Sequence, residues 1–261
     1  MDYVTKQEAK SRKGGTGSTT GTMKQRKKIK EATGTKRGIL PSFPCCCMFV
    51  GLSKSGKSTL VKELLMDPKM LHGYFQTIVF LSPTSGTDET IIRPLDLPKE
   101  NVIKDFSEEK LDEIIQAQKK VVENKGWNYA RKHNRILLII DDAISNQKFL
   151  RSKTMMDLCA LCRHYHISTF FLIQSYKMVA RACRINMRGL ALFQSNRDET
   201  DRIVDERCSS DLKKREFRSL LADATNEPYS FLWINQDKPV SDGRYWHKFD
   251  RMISTDDYKG K

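Results

Sequence analysis

After residue 41 the chain alternates short apolar runs with amphipathic stretches. The runs are Cys45–Val50, Thr77–Leu81, Ile136–Ile140, Ile167–Ile173, Gly189–Phe193 and Tyr229–Ile234. All are rich in β-branched or aromatic residues, nearly continuous in apolar character and bounded by turn residues, which predicts strands buried on both faces. Between them the period lengthens. Ser107 is placed to cap a helix on which Leu111, Ile114, Ile115, Val121 and Val122 recur at three- and four-residue steps. Asp211 is placed to cap another carrying Leu212, Phe217, Leu220 and Leu221, and Met155, Leu158, Cys159, Leu161 and Cys162 read as the buried face of a third. Strand–helix alternation of this kind predicts an α/β fold whose mainly parallel sheet is covered by helices on both faces. No internal repeat is present.

Residues 1–40 differ from this body. They hold eleven basic and three acidic residues, so more than half of the net charge of +14 lies there. Their middle, Gly14 to Gly21, is built of Gly, Ser and Thr. Such a segment buries too little apolar surface to offset the entropy of ordering it, which predicts a flexible basic arm at 1–40 and one domain at 41–261. Basic arms bind nucleic-acid backbones through counterion release; a solubilising tail or a nuclear-import address fits the same composition. With 39% hydrophobic residues the body has material for a core. No apolar run approaches the roughly 20 residues that a membrane span needs, and the N-terminus lacks the apolar stretch of a secretory signal. The seven cysteines, three of them consecutive at 45–47, point to a reducing compartment rather than a disulfide framework. Cys159-x-x-Cys162, followed by His164 and His166, raises zinc or redox chemistry, but no second Cys-x-x-Cys completes a tetrahedral site, and core packing is the leading reading.

The chemistry is densest behind the first strand. Gly51-Leu52-Ser53-Lys54-Ser55-Gly56-Lys57-Ser58-Thr59 is a G-x-x-x-x-G-K-[ST] P-loop in its expected place between strand and helix. Gly51 and Gly56 free the backbone so that successive N–H groups turn inward on phosphate oxygens, and the helix from Lys57 adds its N-terminal partial charge. Lys57 is placed on the β- and γ-phosphates and Ser58 on Mg2+. Ser53, Lys54, Ser55 and Thr59 complete the nucleotide cradle. The strand Ile136–Ile140 then ends in Asp141 and Asp142, a Walker B arrangement in which Asp141 holds Mg2+ and Asp142 polarises the attacking water. Gln174 ends the next strand, where its amide can orient that water or sense the γ-phosphate. Arg181, Arg184 and Arg188 follow; an arginine there stabilises transition-state charge from a neighbouring subunit, touches DNA phosphates, or is merely solvated.

In this order the strand–P-loop, the strand–Asp141-Asp142, the run Cys162-Arg163-His164-Tyr165-His166-Ile167-Ser168, the strand ending in Gln174 and Arg184-x-Asn186 resemble the poxvirus-type genome-packaging ATPases of large nucleocytoplasmic DNA viruses and virophages, a branch of the FtsK–HerA superfamily. The resemblance runs from about Phe43 to Val204. It implies an additional-strand-catalytic-glutamate (ASCE, RecA-like) P-loop NTPase fold and an oligomeric ring. It further implies an ATPase that uses ATP and Mg2+ to move double-stranded viral DNA into a capsid. Capsid or portal-vertex components would then be partners, and the host cytoplasm at assembly sites, or the virion, the location. Nucleotide binding falls on Gly51, Gly56, Lys57 and Ser58, metal binding on Asp141, water activation on Asp142, and sensing on Gln174. Many members carry Glu at the place of Asp142. Arg184 is the first choice for an arginine finger and Arg163 the second. Residues 205–261, with helices and a final strand, match no motif. A small-molecule or nucleotide kinase and a non-catalytic DNA-binding scaffold with a vestigial nucleotide site are the rival functions; a kinase lid rich in arginine is not evident in Asp67–Lys104.

Overall fold

The computed structural model describes residues 37–83, 89–105, 107–208 and 212–260. The predicted arm falls almost entirely outside them, as does Asp211. Among the described residues nine strands form one sheet in the order β3-β2-β4-β5-β1-β6-β7-β8-β9. They are β1 (Cys46–Val50), β2 (Thr77–Leu81), β3 (Val102–Ile103), β4 (Ile136–Asp141), β5 (Ile167–Ile173), β6 (Met187–Phe193), β7 (Phe231–Asn235), β8 (Tyr245–His247) and β9 (Arg251–Met252). The first six strands in this sequence are mutually parallel, whereas β7, β8 and β9 return antiparallel. The stretch after residue 205 therefore extends the same sheet with three strands where the sequence pattern predicted one. β8 and β9 are too short to show a period, as is β3.

Helices cover both faces. On one lie α3 (Glu108–Lys125), α6 (Lys153–Tyr165), α8 (Arg197–Arg207) and α9 (Lys214–Ala224), and on the other α1 (Lys57–Met66). The remaining helices among the described residues, α2 (Glu89–Ile92), α4 (Trp127–His133), α5 (Gln147–Leu150) and α7 (Arg181–Arg184), are short. Alternation along β1 shows how the layers are made. Cys46, Met48 and Val50 enter the core under α3, α6 and α9, while Cys45, Cys47 and Phe49 enter the core under α1. Ser107 caps α3 as predicted, accepting from the Lys110 N–H at 3.4 Å, and Leu111, Ile114 and Ile115 are buried. α9 starts at Lys214, where the Lys213 N–H is held by the Glu216 carboxylate at 2.8 Å.

Two placements differ from the pattern. Leu161 is 38% exposed, because the helical step carries it off the stripe shared by Met155, Leu158, Cys159 and Cys162. Tyr229 precedes its strand, in a turn with φ 61°, and is 71% exposed. The cysteines are all free thiols. Cys159 and Cys162 are core residues, His166 is buried against the Trp127 ring at 4.6 Å, and His164 is exposed. No group of three or more His, Cys, Asp or Glu among the described residues is arranged to hold a metal ion. No helix among them is long and apolar enough to cross a membrane.

Candidate active site

The parallel register brings three strand ends level. β5 lies between β1 and β4, with Val50 opposite Ile173 and Asp141 opposite Leu172. The P-loop at the end of β1 and the acidic pair at the end of β4 thus flank the residue that follows β5, which is Gln174. One strand separates the loop from the acids, and the gap is bridged by a side chain: Ser58 Oγ donates to Asp141 Oδ2 at 3.2 Å.

The loop is shaped by two glycines for different reasons. Gly56 has φ 99° and stands at the N-cap of α1, a conformation that side chains rarely adopt. Gly51 is required by proximity instead, since a Cβ there would lie 2.7 Å from both Phe193 Cβ and Ser55 Oγ. Its N–H is fixed by the Ile173 carbonyl at 3.1 Å. Lys54 adopts φ 63°, and Ser53 and Lys54 are exposed at the loop's crest. At the base of α1 no side chain caps the helix and no acid occupies its first turn. Its N–H groups and partial positive charge are left for an external anion.

Lys57 is buried, and its ammonium donates to the carbonyls of Gly51 and Leu52, both at 2.8 Å. Burial lowers its pKa from the usual lysine range, against the opposing pull of Asp141 and then Asp142. Asp141 is buried at the strand end, and Asp142 takes a left-handed backbone with φ 49°, turning the chain sharply beside the loop. Ser55 Oγ is buried without a hydrogen-bond partner inside the cradle. Hard oxygen donors from Ser58 and Asp141 converge next to an anion-seeking helix terminus, and such a pair fits Mg2+ carried by a polyphosphate.

The loop after β5 is anchored by an acid of α8. Glu199, in the first turn of α8, is 6% exposed. It accepts from Ser175 Oγ at 3.1 Å and from the Tyr176 N–H, the two residues behind Gln174. Burial of a carboxylate in a run as polar as Asn196–Glu199 leaves no trace in hydropathy. The arginines also sort differently from their sequence ranking. Arg184 is buried, held by Glu206 at 2.8 and 3.1 Å and by the Val179 carbonyl at 2.6 Å, and stacked on the Tyr176 ring at 5.1 Å. All three nitrogens are engaged within the chain, so the guanidinium is a strut of the β5–β6 connection rather than a group presented to a neighbour. Arg188 is paired with Asp237 at 3.7 Å, whereas Arg163 and Arg181 are exposed. Arg163 closes α6 just before β5 begins, at the sheet edge opposite the P-loop.

A model of the family described as "Poxvirus A32 protein" matches residues 36–246. Among solved structures, the genome packaging NTPase B204 from Sulfolobus turreted icosahedral virus 2 in complex with ATP-gammaS is similar with a TM-score of 0.52 and 16% identity. The match covers 75% of this chain and 94% of that one. B204, described as the DNA-packaging ATPase from Sulfolobus turreted icosahedral virus, gives a TM-score of 0.50 and 15% identity over 74% of this chain and 93% of that one. At such identities the likeness is one of fold. No curated protein matches the chain in sequence.

Proposed function

The chain belongs to the Poxvirus A32 protein family, and on that footing we propose that it hydrolyses ATP to drive double-stranded viral DNA into a capsid. The observation that carries the reading is the 3.2 Å contact between Ser58 and Asp141 across the intervening strand, with the Lys57 ammonium held on the loop carbonyls of Gly51 and Leu52. The similar B204 structures hold AMP, AMPPCP or ATP-gammaS, and their descriptions speak of genome packaging.

The P-loop amides and the first turn of α1 bind the phosphate chain. Lys57 exchanges its two carbonyl partners for β- and γ-phosphate oxygens and so neutralises charge that grows on the bridging oxygen. Ser58 and Asp141 would hold Mg2+, which supplies further neutralisation of the phosphate oxygens when bound. A water oriented by Gln174 attacks the γ-phosphorus as the β–γ bridging bond breaks, and its proton passes to the Asp142 carboxylate. ADP and phosphate leave. An arginine contributed by a neighbouring subunit in a ring would be drawn from the exposed pair, Arg163 and Arg181. Charge favours a polyanionic cargo, given the net +14 and the basic residues 1–40. Such a role places the protein at sites of virus assembly in the host cytoplasm, with capsid or portal components as partners.

Replacing Asp142 by Asn tests the assignment. ATP binding should persist while turnover falls by roughly 100-fold or more, the usual worth of a positioned base. Unchanged turnover would move the catalytic acid elsewhere.

A further inference from the structure

Phosphate chemistry accounts for one flank of α1 only. The other flank opens into a cleft of about 640 Å3, inside the roughly 300–1,000 Å3 range of small-molecule sites. Leu60 and Leu64 of α1 floor it, and Phe193, Phe231, Phe249 and Tyr229 wall it. The aromatic wall is set in advance. Phe231 packs against Phe193 at 5.2 Å and against Phe249 at 5.3 Å. The turn that carries Tyr229 is closed by hydrogen bonds from the Ser230 N–H at 3.1 Å and Ser230 Oγ at 2.7 Å to the Glu227 carbonyl.

Tyr229 itself is anomalous. It is a bulky residue with φ 61°, left 71% exposed, in a place where neither burial nor backbone preference explains an aromatic. Its ring lies against the P-loop, since a Cβ built on Gly56 would sit 3.4 Å from Tyr229 Cδ1. The cleft also adjoins the P-loop, because Gly56 and Thr59 of that motif line it. Successive helical residues point about 100° apart, so Ser58 meets Asp141 while Thr59 faces the cleft. A triphosphate has a direction. With its γ end beside Asp141 and Asp142 and its middle on Lys57, its nucleoside end must emerge on the Gly56–Thr59 side.

We propose that this cleft receives the nucleobase of the bound triphosphate, stacked on Tyr229, and that the strands after residue 229 exist in part to build it. The inference rests on the nucleotide reading above and deepens it. Glu63 and Asp250, both exposed, also line the cleft, and a carboxylate accepts from N–H donors such as those on a base edge.

Calorimetric titration of the full chain with Mg-ATP and, separately, with Mg-tripolyphosphate separates base from phosphate. Wild type should bind ATP more tightly than tripolyphosphate. Tyr229→Ala should weaken ATP binding by about tenfold, within the range of aromatic–base stacking, and leave tripolyphosphate binding as it was. Tyr229→Phe should restore wild-type affinity for ATP. Unchanged ATP affinity in Tyr229→Ala would overturn the proposal, as would an equal loss for the two ligands. Wild type that binds neither ligand would overturn the nucleotide reading itself, and this inference with it.

Discussion

Arg184→Ala separates two roles that make opposite demands. In the structure the Arg184 side chain is 8% exposed and its partner Glu206 20% exposed, and they meet in a bidentate pair. Truncation removes both charge-assisted bonds, the bond to the Val179 carbonyl and the stacking on Tyr176, and leaves the mostly buried Glu206 carboxylate without its cation. Breaking a buried pair from one side costs about 3–5 kcal/mol, and the partial exposure of Glu206 puts this case near the lower figure. For a domain of this size about 1 kcal/mol shifts Tm by roughly 2–4 °C. The expected loss is therefore roughly 6–12 °C, read by circular dichroism on heating, with turnover measured well below the transition. Arg184→Lys keeps the charge but not the fork, and should fall between the two. A variant that melts with the wild type yet has lost ATP turnover would refute the strut assignment and restore Arg184 as a group acting on a neighbouring subunit's nucleotide.

Glu199→Ala frees Ser175 and Tyr176, so the Gln174 loop loses its register. The expected result is a kcat lowered by roughly tenfold or more with KM nearly unchanged, as befits misplacement of a group near the reacting water; a change confined to KM would contradict it. Glu216 accepts from the Gly260 N–H at 2.9 Å and the Lys213 N–H at 2.8 Å, and these bonds, Gly260 first, hold its pKa below the ordinary carboxylate range. A carboxyl whose folded pKa is depressed adds stability above its unfolded pKa, about 4.3, and that contribution disappears as pH falls through the folded pKa. The Tm advantage of wild type over Glu216→Gln should therefore be steady near neutrality and shrink in acid; an advantage independent of pH would refute the linkage.

The P-loop and the Asp141–Asp142 strand end were legible because both chemistry and fold write themselves locally. A five-residue apolar run is long enough to declare a strand, and a glycine-bounded loop with Lys57 and Ser58 has few other uses. Distance along the chain hides the rest. The pairing of Arg184 with Glu206 spans 22 positions and turns a basic surface residue into a buried one. Glu199 is buried where it accepts from Ser175 and the Tyr176 N–H, partners 24 and 23 positions away. Tyr229 read as the start of a strand because an aromatic fits the pattern, while its left-handed backbone is set by the turn at Glu227 and Ser230. The antiparallel return through β8 and β9 is built from three and two residues, too few to leave a period. What sequence order did carry was the relation of loop, acids and Gln174, because parallel strands in register bring consecutive carboxyl ends to one edge.

The most direct measurement is steady-state ATP hydrolysis by the full chain, with and without long duplex DNA, beside Lys57→Ala. The account predicts turnover that rises when duplex is added and a Lys57→Ala rate at background in both conditions. Equal rates for the two proteins, or a wild-type rate indifferent to duplex, would contradict it.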